Sequence, residues 1–317
     1  MGEFYDRPLD EARNILSGES EGVLMKNAHQ SIGLLLAPIV FVLLWSGGYA
    51  VAKIGIKYAE PITLLVWRYF LVVVLLVPFY LALKPPLPKR KIDWVHMAVV
   101  GILVQGVYFG MCWFAFSLGI SAGVVAIIMS LQPILVAILA PALANENVSW
   151  LRWTGLILGF IGVMVVIAAR SRLEPPNVVG IGVCIIALAG MTSGVLYEKR
   201  FGVSHHPVIS NLGQYGAGLI FVFPIAYSIE TMQVQWTGTL VATLAYLVIG
   251  NSILAITLLL AMIRAGEVSR VSALLFLVPP LAAIFGWLLL GEIMPPVAWI
   301  GMAIAGIGVI IATRRSK

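Results

Sequence analysis

The sequence predicts an all-α polytopic membrane protein: ten transmembrane helices, built as two inverted five-helix repeats, with both termini in the cytoplasm. Three observations lead there. Of 317 residues, 61% are hydrophobic and 11% charged, at a mean hydropathy of +1.01. A water-facing surface cannot hide that much apolar matter, so the bilayer must be the solvent. Apolar runs of about 20 residues, enough for a helix to cross the hydrocarbon core, recur ten times between charges, prolines and glycines. A shift of 146 positions then lays the second half of the chain on the first.

Residues 1–31 open the chain as a polar tail, with Glu3, Asp6, Asp10, Glu11, Glu19 and Glu21. It is too hydrophilic for the apolar core of a signal peptide and is expected to be mobile. The first repeat, 32–172, carries predicted spans at 34–54, 62–82, 95–116, 123–143 and 153–169. The second, 173–317, carries them at 178–196, 208–229, 240–262, 271–290 and 297–313. Short connections leave no room for a soluble domain. Trp94, Trp150, Trp236 and Trp299 stand near span ends, where indoles anchor at the interface.

With the N-terminus inside, fifteen of the twenty Lys and Arg fall on cytoplasmic segments, which puts both termini there by the positive-inside rule. The same distribution accounts for the net charge of +6 without a nucleic acid partner. Cys112 and Cys184 lie inside spans with no metal-type spacing, so neither a disulfide framework nor a zinc site is expected, and no cofactor is implied.

The repeat is carried by nine matched pairs, each 146 positions apart: Lys53 with Lys199, Pro61 with Pro207, Tyr69 with Tyr215, Pro78 with Pro224, Pro133 with Pro279, Glu146 with Glu292, Trp153 with Trp299, Gly155 with Gly301, and Gly162 with Gly308. Nine matches in one register mark an internal repeat. Five spans is an odd number, so the second half must enter the membrane from the opposite side. Such inverted repeats suit alternating access in secondary transporters.

Several stretches carry a family resemblance: Trp45-Ser46-Gly47-Gly48 ending in Lys53, Pro61 followed by Trp67-Arg68-Tyr69-Phe70, Gln132-Pro133, and Leu289-Leu290-Gly291-Glu292. Together they resemble the EamA family of the drug/metabolite transporter superfamily, over about 34–314. The resemblance implies a central cavity lined by the first four helices of each half, with the fifth packed at the side. It also implies export of amino acids or other metabolites, aromatic amino acids among them, across a bacterial plasma (inner) membrane. Sugar-phosphate and nucleotide-sugar carriers are more distant relatives, and no run of lysines within the spans suits a phosphate.

Within the spans the residues themselves narrow the chemistry. All fourteen carboxylates fall in the tail, loops or span ends. A mid-membrane carboxylate is the usual device for lipophilic cations and for proton coupling, so a neutral or zwitterionic solute fits better. Arg68 lies about seven residues into its span, roughly 10 Å deep. Either its guanidinium meets a solute carboxylate, or it pins helices through carbonyls or snorkels outward.

Trp45, Ser46 and Tyr49 share one helix face, and Gln105, Tyr108 and Cys112 share another, the mixture of aromatic and polar groups that an amphipathic solute needs. Tyr69 and Gln132 join them as first-half candidates. In the second half Thr192, Gln214, Tyr215 and Asn251 are the candidates, with interhelical hydrogen bonding as the plainer alternative. Pro133 and Pro279, at matching mid-span positions, are expected to kink their helices, for gating or for packing.

The series Gly155, Gly159, Gly162 and Gly301, Ala305, Gly308 predicts close helix contact, within the chain or in a homodimer. Glu146 and Glu292 are read as local caps or as partners of a loop Arg or Lys, and Lys53 and Lys199 as anchors before gates. No catalytic constellation lies at depth, since the four histidines sit in the tail, at a span edge and in a loop, away from any buried acid, and an enzyme is not expected. The reading at this point is a facilitative exporter of large neutral or aromatic amino acids, monomeric or homodimeric. A proton-coupled multidrug or other metabolite exporter, and a channel or receptor-like protein, are the alternatives.

Overall fold

The computed structural model describes residues 36–118, 125, 128–170, 178–202, 205–265, 268–290 and 295–314. The polar tail, the start of the predicted fourth span, Glu174, Glu267 and Glu292 lie outside the described residues. The chain divides into a unit Met1–Val40, whose described part is the opening of the first helix, and a unit Phe41–Lys317, which holds everything below.

In chain order the helices are α1 (Leu36–Gly55), α2 (Pro61–Leu83), α3 (Lys91–Ala115), α4 (Gln132–Leu143), α5 (Trp150–Arg170), α6 (Val178–Phe201), α7 (Pro207–Ile229), α8 (Gly238–Ala265), α9 (Val271–Leu289) and α10 (Pro296–Thr313). Eight of them are long and apolar enough to cross a membrane; Gln132–Leu143 and Trp150–Val166 are shorter apolar stretches. Among the described residues there is no strand, only an isolated bridge between Ala59 and Val234. The fold is all-helical.

Sequence sets the helix starts. Pro61 and Pro207 open α2 and α7, where a missing N–H costs nothing. The same logic bears on the two matched prolines. Pro133 is not inside a continuous helix: the chain turns at Ser130 and Leu131, and α4 restarts with Pro133 in its first turn. Pro279 is likewise second in the segment Val278–Leu290, just after a 3-10 turn at Leu274–Leu277. Proline cannot donate the hydrogen bond a mid-helix position requires, so the α ladder is interrupted ahead of both, by the turn before α4 and by the 3-10 turn inside α9.

The small residues resolve into contacts within the chain. α5 and α10 pair more extensively than any other two elements. A Cβ added at Gly162 would lie 2.3 Å from the Ala305 nitrogen, and one at Gly308 would lie 2.3 Å from the Gly159 nitrogen. Only glycine lets these backbones touch. Leu156, Val163, Phe276 and Val309 fill the seam.

Polar and apolar residues are distributed as in a protein dissolved in lipid. Ile220, Phe79, Leu288 and Ile300 are more than half exposed, while Arg68, Gln105, Gln214, Asn251 and Ser252 are almost wholly buried. The polar groups therefore turn inward, where they find one another.

Among the described residues two helices carry π-helical stretches. Ile102–Phe109 in α3 and Tyr246–Ala255 in α8 are π-helical, and their last residues are 146 positions apart. A π turn widens the ladder and leaves a carbonyl seeking another donor. Both segments lie at the candidate site.

Candidate functional site

Tyrosines supply the donors those carbonyls need. Tyr69 on α2 donates its hydroxyl to the Gln105 carbonyl at 2.8 Å, and Tyr215 on α7 donates to the Ser252 carbonyl at 3.2 Å. The two rings meet edge to face with centroids 5.3 Å apart. A matched residue from each half thus ties its own half's π segment to a shared aromatic contact.

Arg68, one residue earlier on α2, is 1% exposed. Its Nε donates to Ser252 Oγ at 2.7 Å and its Nη2 to Asn251 Oδ1 at 2.7 Å, while the Phe109 ring centre lies 4.6 Å from Cζ. The guanidinium does pin helices, but through side-chain oxygens of α8 and not through carbonyls. Asn251 Nδ2 in turn donates to the Leu44 carbonyl at 3.2 Å, as does the Tyr246 hydroxyl at 3.1 Å. Asn251 therefore bridges α1, α2 and α8.

Aromatic rings close the site on the α1 side. Trp45 packs on Phe41 and Phe109 with centroids 5.4 and 5.6 Å away. Tyr49 and Tyr108 share a hydroxyl hydrogen bond of 3.0 Å, and Tyr108 packs on Phe109 at 4.7 Å. Both side chains offer a polar tip and an apolar body.

Of the residues singled out from sequence, Trp45, Tyr49, Arg68, Tyr69, Gln105, Tyr108, Tyr215 and Asn251 are joined by these contacts. Thr192 is not; its hydroxyl bonds back to Leu188 within α6. Ser46 Oγ and both amide atoms of Gln105 and Gln132 are buried without a hydrogen-bond partner. Ser252, Phe109 and Tyr246 were missed, because a serine or an aromatic ring in an apolar helix carries no signal until the π register aims it.

Gln214 sits elsewhere, in a small pocket between α3, α6, α7 and α8 that Val100, Val104, Val195, Glu198 and Leu259 also line. Its Nε2 has no partner. The 146-residue shift carries Arg68 to Gln214 and Tyr49 to Val195, so the same crossing occurs twice, once filled by a cation and aromatics and once left partly open. Glu198 at its end pairs with Arg264, Nε to Oε1 at 2.5 Å. Close by, Glu146 accepts the Val268 N–H at 2.6 Å and faces Lys199 Nζ at 3.9 Å, and His205 faces Asp93 at 3.4 Å.

A second set of carboxylates works at the α1–α2 and α7–α8 connections. Glu230 accepts from the backbone of Ile62 at 2.8 Å and of Thr63 at 2.6 Å, and from the Thr63 hydroxyl at 2.7 Å. Glu60 accepts from the backbone of Thr231 at 2.8 Å and of Met232 at 3.1 Å. Each half caps the other, and the positive end of α2 favours the anion there. Among the described residues no three His, Cys, Asp or Glu gather to hold a metal ion.

Known proteins place this arrangement. The model of the EamA-like transporter family matches residues 31–168 and again 173–314. The "Uncharacterized transporter YvbV" of Bacillus subtilis is 22% identical over 90% of this chain and 92% of its own. A Salmonella typhimurium protein named "Probable amino-acid metabolite efflux pump" is 24% identical over 86% of this chain and 91% of its own. A crystal structure of a protein shares the fold with a TM-score of 0.75, at 20% identity over 89% of this chain and 97% of that one. The matches cover nearly all the described residues, and the chain is an integral membrane protein of the EamA-like transporter family.

Proposed function

We propose that this transporter is a facilitative exporter of small metabolites, most specifically of amino acids with large neutral or aromatic side chains. It works by alternating access between two inverted five-helix repeats, 32–172 and 173–317, with ten spans and both termini in the cytoplasm. The observation that carries the reading is Arg68, a buried cation among aromatic rings whose hydrogen-bond acceptors are neutral. A solute carboxylate is the complementary group, and Trp45, Tyr49, Tyr108 and Phe109 receive the side chain. The unpartnered polar groups of Ser46, Gln105, Gln132 and Gln214 serve the solute as the crossing opens, and the interrupted ladders ahead of Pro133 and Pro279 are its flexible points.

Support for the repeat comes from the family match in two stretches and from the π segments at one register. In this orientation the Glu60 and Glu230 pair closes the outer face, and the Glu198, Glu146 and Asp93 contacts close the cytoplasmic one. Glu198, 3% exposed and the most buried carboxylate among the described residues, favours proton coupling instead.

Uptake into proteoliposomes decides between them, with labelled tryptophan, phenylalanine, methionine and threonine and a cationic dye, with and without a pH gradient. Saturable amino-acid uptake indifferent to the gradient is expected; gradient-driven dye transport that excludes amino acids would overturn both substrate and coupling.

A further inference from the structure

We propose that Asn251 and Ser252 hold the edge of Arg68 that a solute's carboxylate takes, and that a solute binds by taking Arg68 away from them. This rests on the reading of Arg68 as the carboxylate's partner and adds what it must displace.

The geometry is that of a bidentate pair with both acceptors replaced. Nε and Nη2 form one edge of the guanidinium, the edge that a carboxylate grips with two parallel hydrogen bonds. Here Ser252 Oγ holds the first and Asn251 Oδ1 the second, each at 2.7 Å. A guanidinium has only donors, so the amide oxygen of Asn251 must be the atom that faces it. The cation is permanent and 1% exposed, and among the described residues no carboxylate pairs with it. A buried charge held by neutral dipoles and the rings of Phe109 and Tyr69 is incompletely compensated, so an arriving anion gains what these do not supply.

Displacement also has a mechanical result. Asn251 is pressed against α1, where a Cβ on Gly48 would lie 2.4 Å from its Nδ2, and it donates to the Leu44 carbonyl. When a carboxylate takes the Arg68 edge, α8 loses both its side-chain bonds to α2 but keeps its bond to α1 through Tyr246. Binding thus frees α2 from α8, and a solute without a carboxylate leaves the bolt in place. Asn251 and Ser252 are positioning residues, acting on the solute through Arg68.

The test is equilibrium binding of labelled L-tryptophan to purified transporter, with Arg68→Gln, Ser252→Ala, Asn251→Asp and the Arg68→Gln/Asn251→Asp double variant, alongside thermal midpoints. Arg68→Gln is expected to weaken binding by about tenfold or more, the scale of one charge-assisted hydrogen bond. Ser252→Ala removes a competitor and is expected to tighten binding severalfold. Asn251→Asp installs a charged competitor and is expected to weaken binding about tenfold; it also gives up the bond donated to the Leu44 carbonyl, so its folding is checked by a monodisperse size-exclusion profile and not by the midpoint. In the Arg68→Gln background Asn251→Asp should have no further effect on affinity.

Affinity within twofold of the parent in both Ser252→Ala and Asn251→Asp, with Arg68→Gln still defective, overturns the competition and leaves Arg68 as the carboxylate's partner. Unchanged binding in Arg68→Gln, or no binding by the parent protein, overturns that reading and this inference together.

Discussion

At the scale of single residues, the site is a set of hydrogen bonds that each helix could not satisfy alone. Tyr69→Phe and Tyr215→Phe should each strand a buried carbonyl in a π segment, at about 1–3 kcal/mol, seen as a lower thermal midpoint in detergent; equal, negligible losses would mean those carbonyls have other donors. Tyr49→Phe removes a bond between two hydroxyls and should cost about 1 kcal/mol or less. Tyr108→Ala and Gln105→Ala should abolish tryptophan uptake at unchanged membrane abundance, and full activity in both would dismiss the assignment. Residue types were readable in the sequence: Arg68, Tyr69 and Tyr215 are conspicuous in apolar helices. Their partners were not, since Ser252 meets Arg68 only through a fold contact 184 residues away in the chain.

At the scale of elements, π stretches and the interruptions ahead of Pro133 and Pro279 separate the structure from a reading based on periodicity. Apolar runs with no polar face give the same pattern to an α and a π helix, so Ile102–Phe109 and Tyr246–Ala255 left no trace in the sequence. Pro133 and Pro279 were visible, but a proline marks a broken ladder without saying whether the helix bends or restarts. The small-residue stripes were read correctly as close contacts, and the choice between intrachain and dimer packing needed coordinates. Gly162→Leu should force α5 from α10 and lower the midpoint by several degrees, read by size exclusion after heating. Glu230→Gln keeps the shape of the α2 cap and removes its charge; counterflow in proteoliposomes should show a faster exchange rate with little change in apparent affinity, and a large affinity loss would tie Glu230 to the solute instead.

At the scale of the whole molecule, hydropathy and the 146-residue repeat made the all-helical membrane fold legible, because the bilayer leaves a spanning chain few alternatives. Function was legible only as a class. What lay hidden is the asymmetry between two matched crossings, one packed around Arg68 and one partly open beside Gln214. The indole pair of Trp67 and Trp236, edge to face at 4.9 Å, bridges the two halves beside the Glu60 and Glu230 carboxylates. Rings that close share excited states and quench one another, so the molecule carries its own optical reporter: parting of this face should register as a change in ultraviolet emission that Trp236→Phe abolishes, with no dye attached.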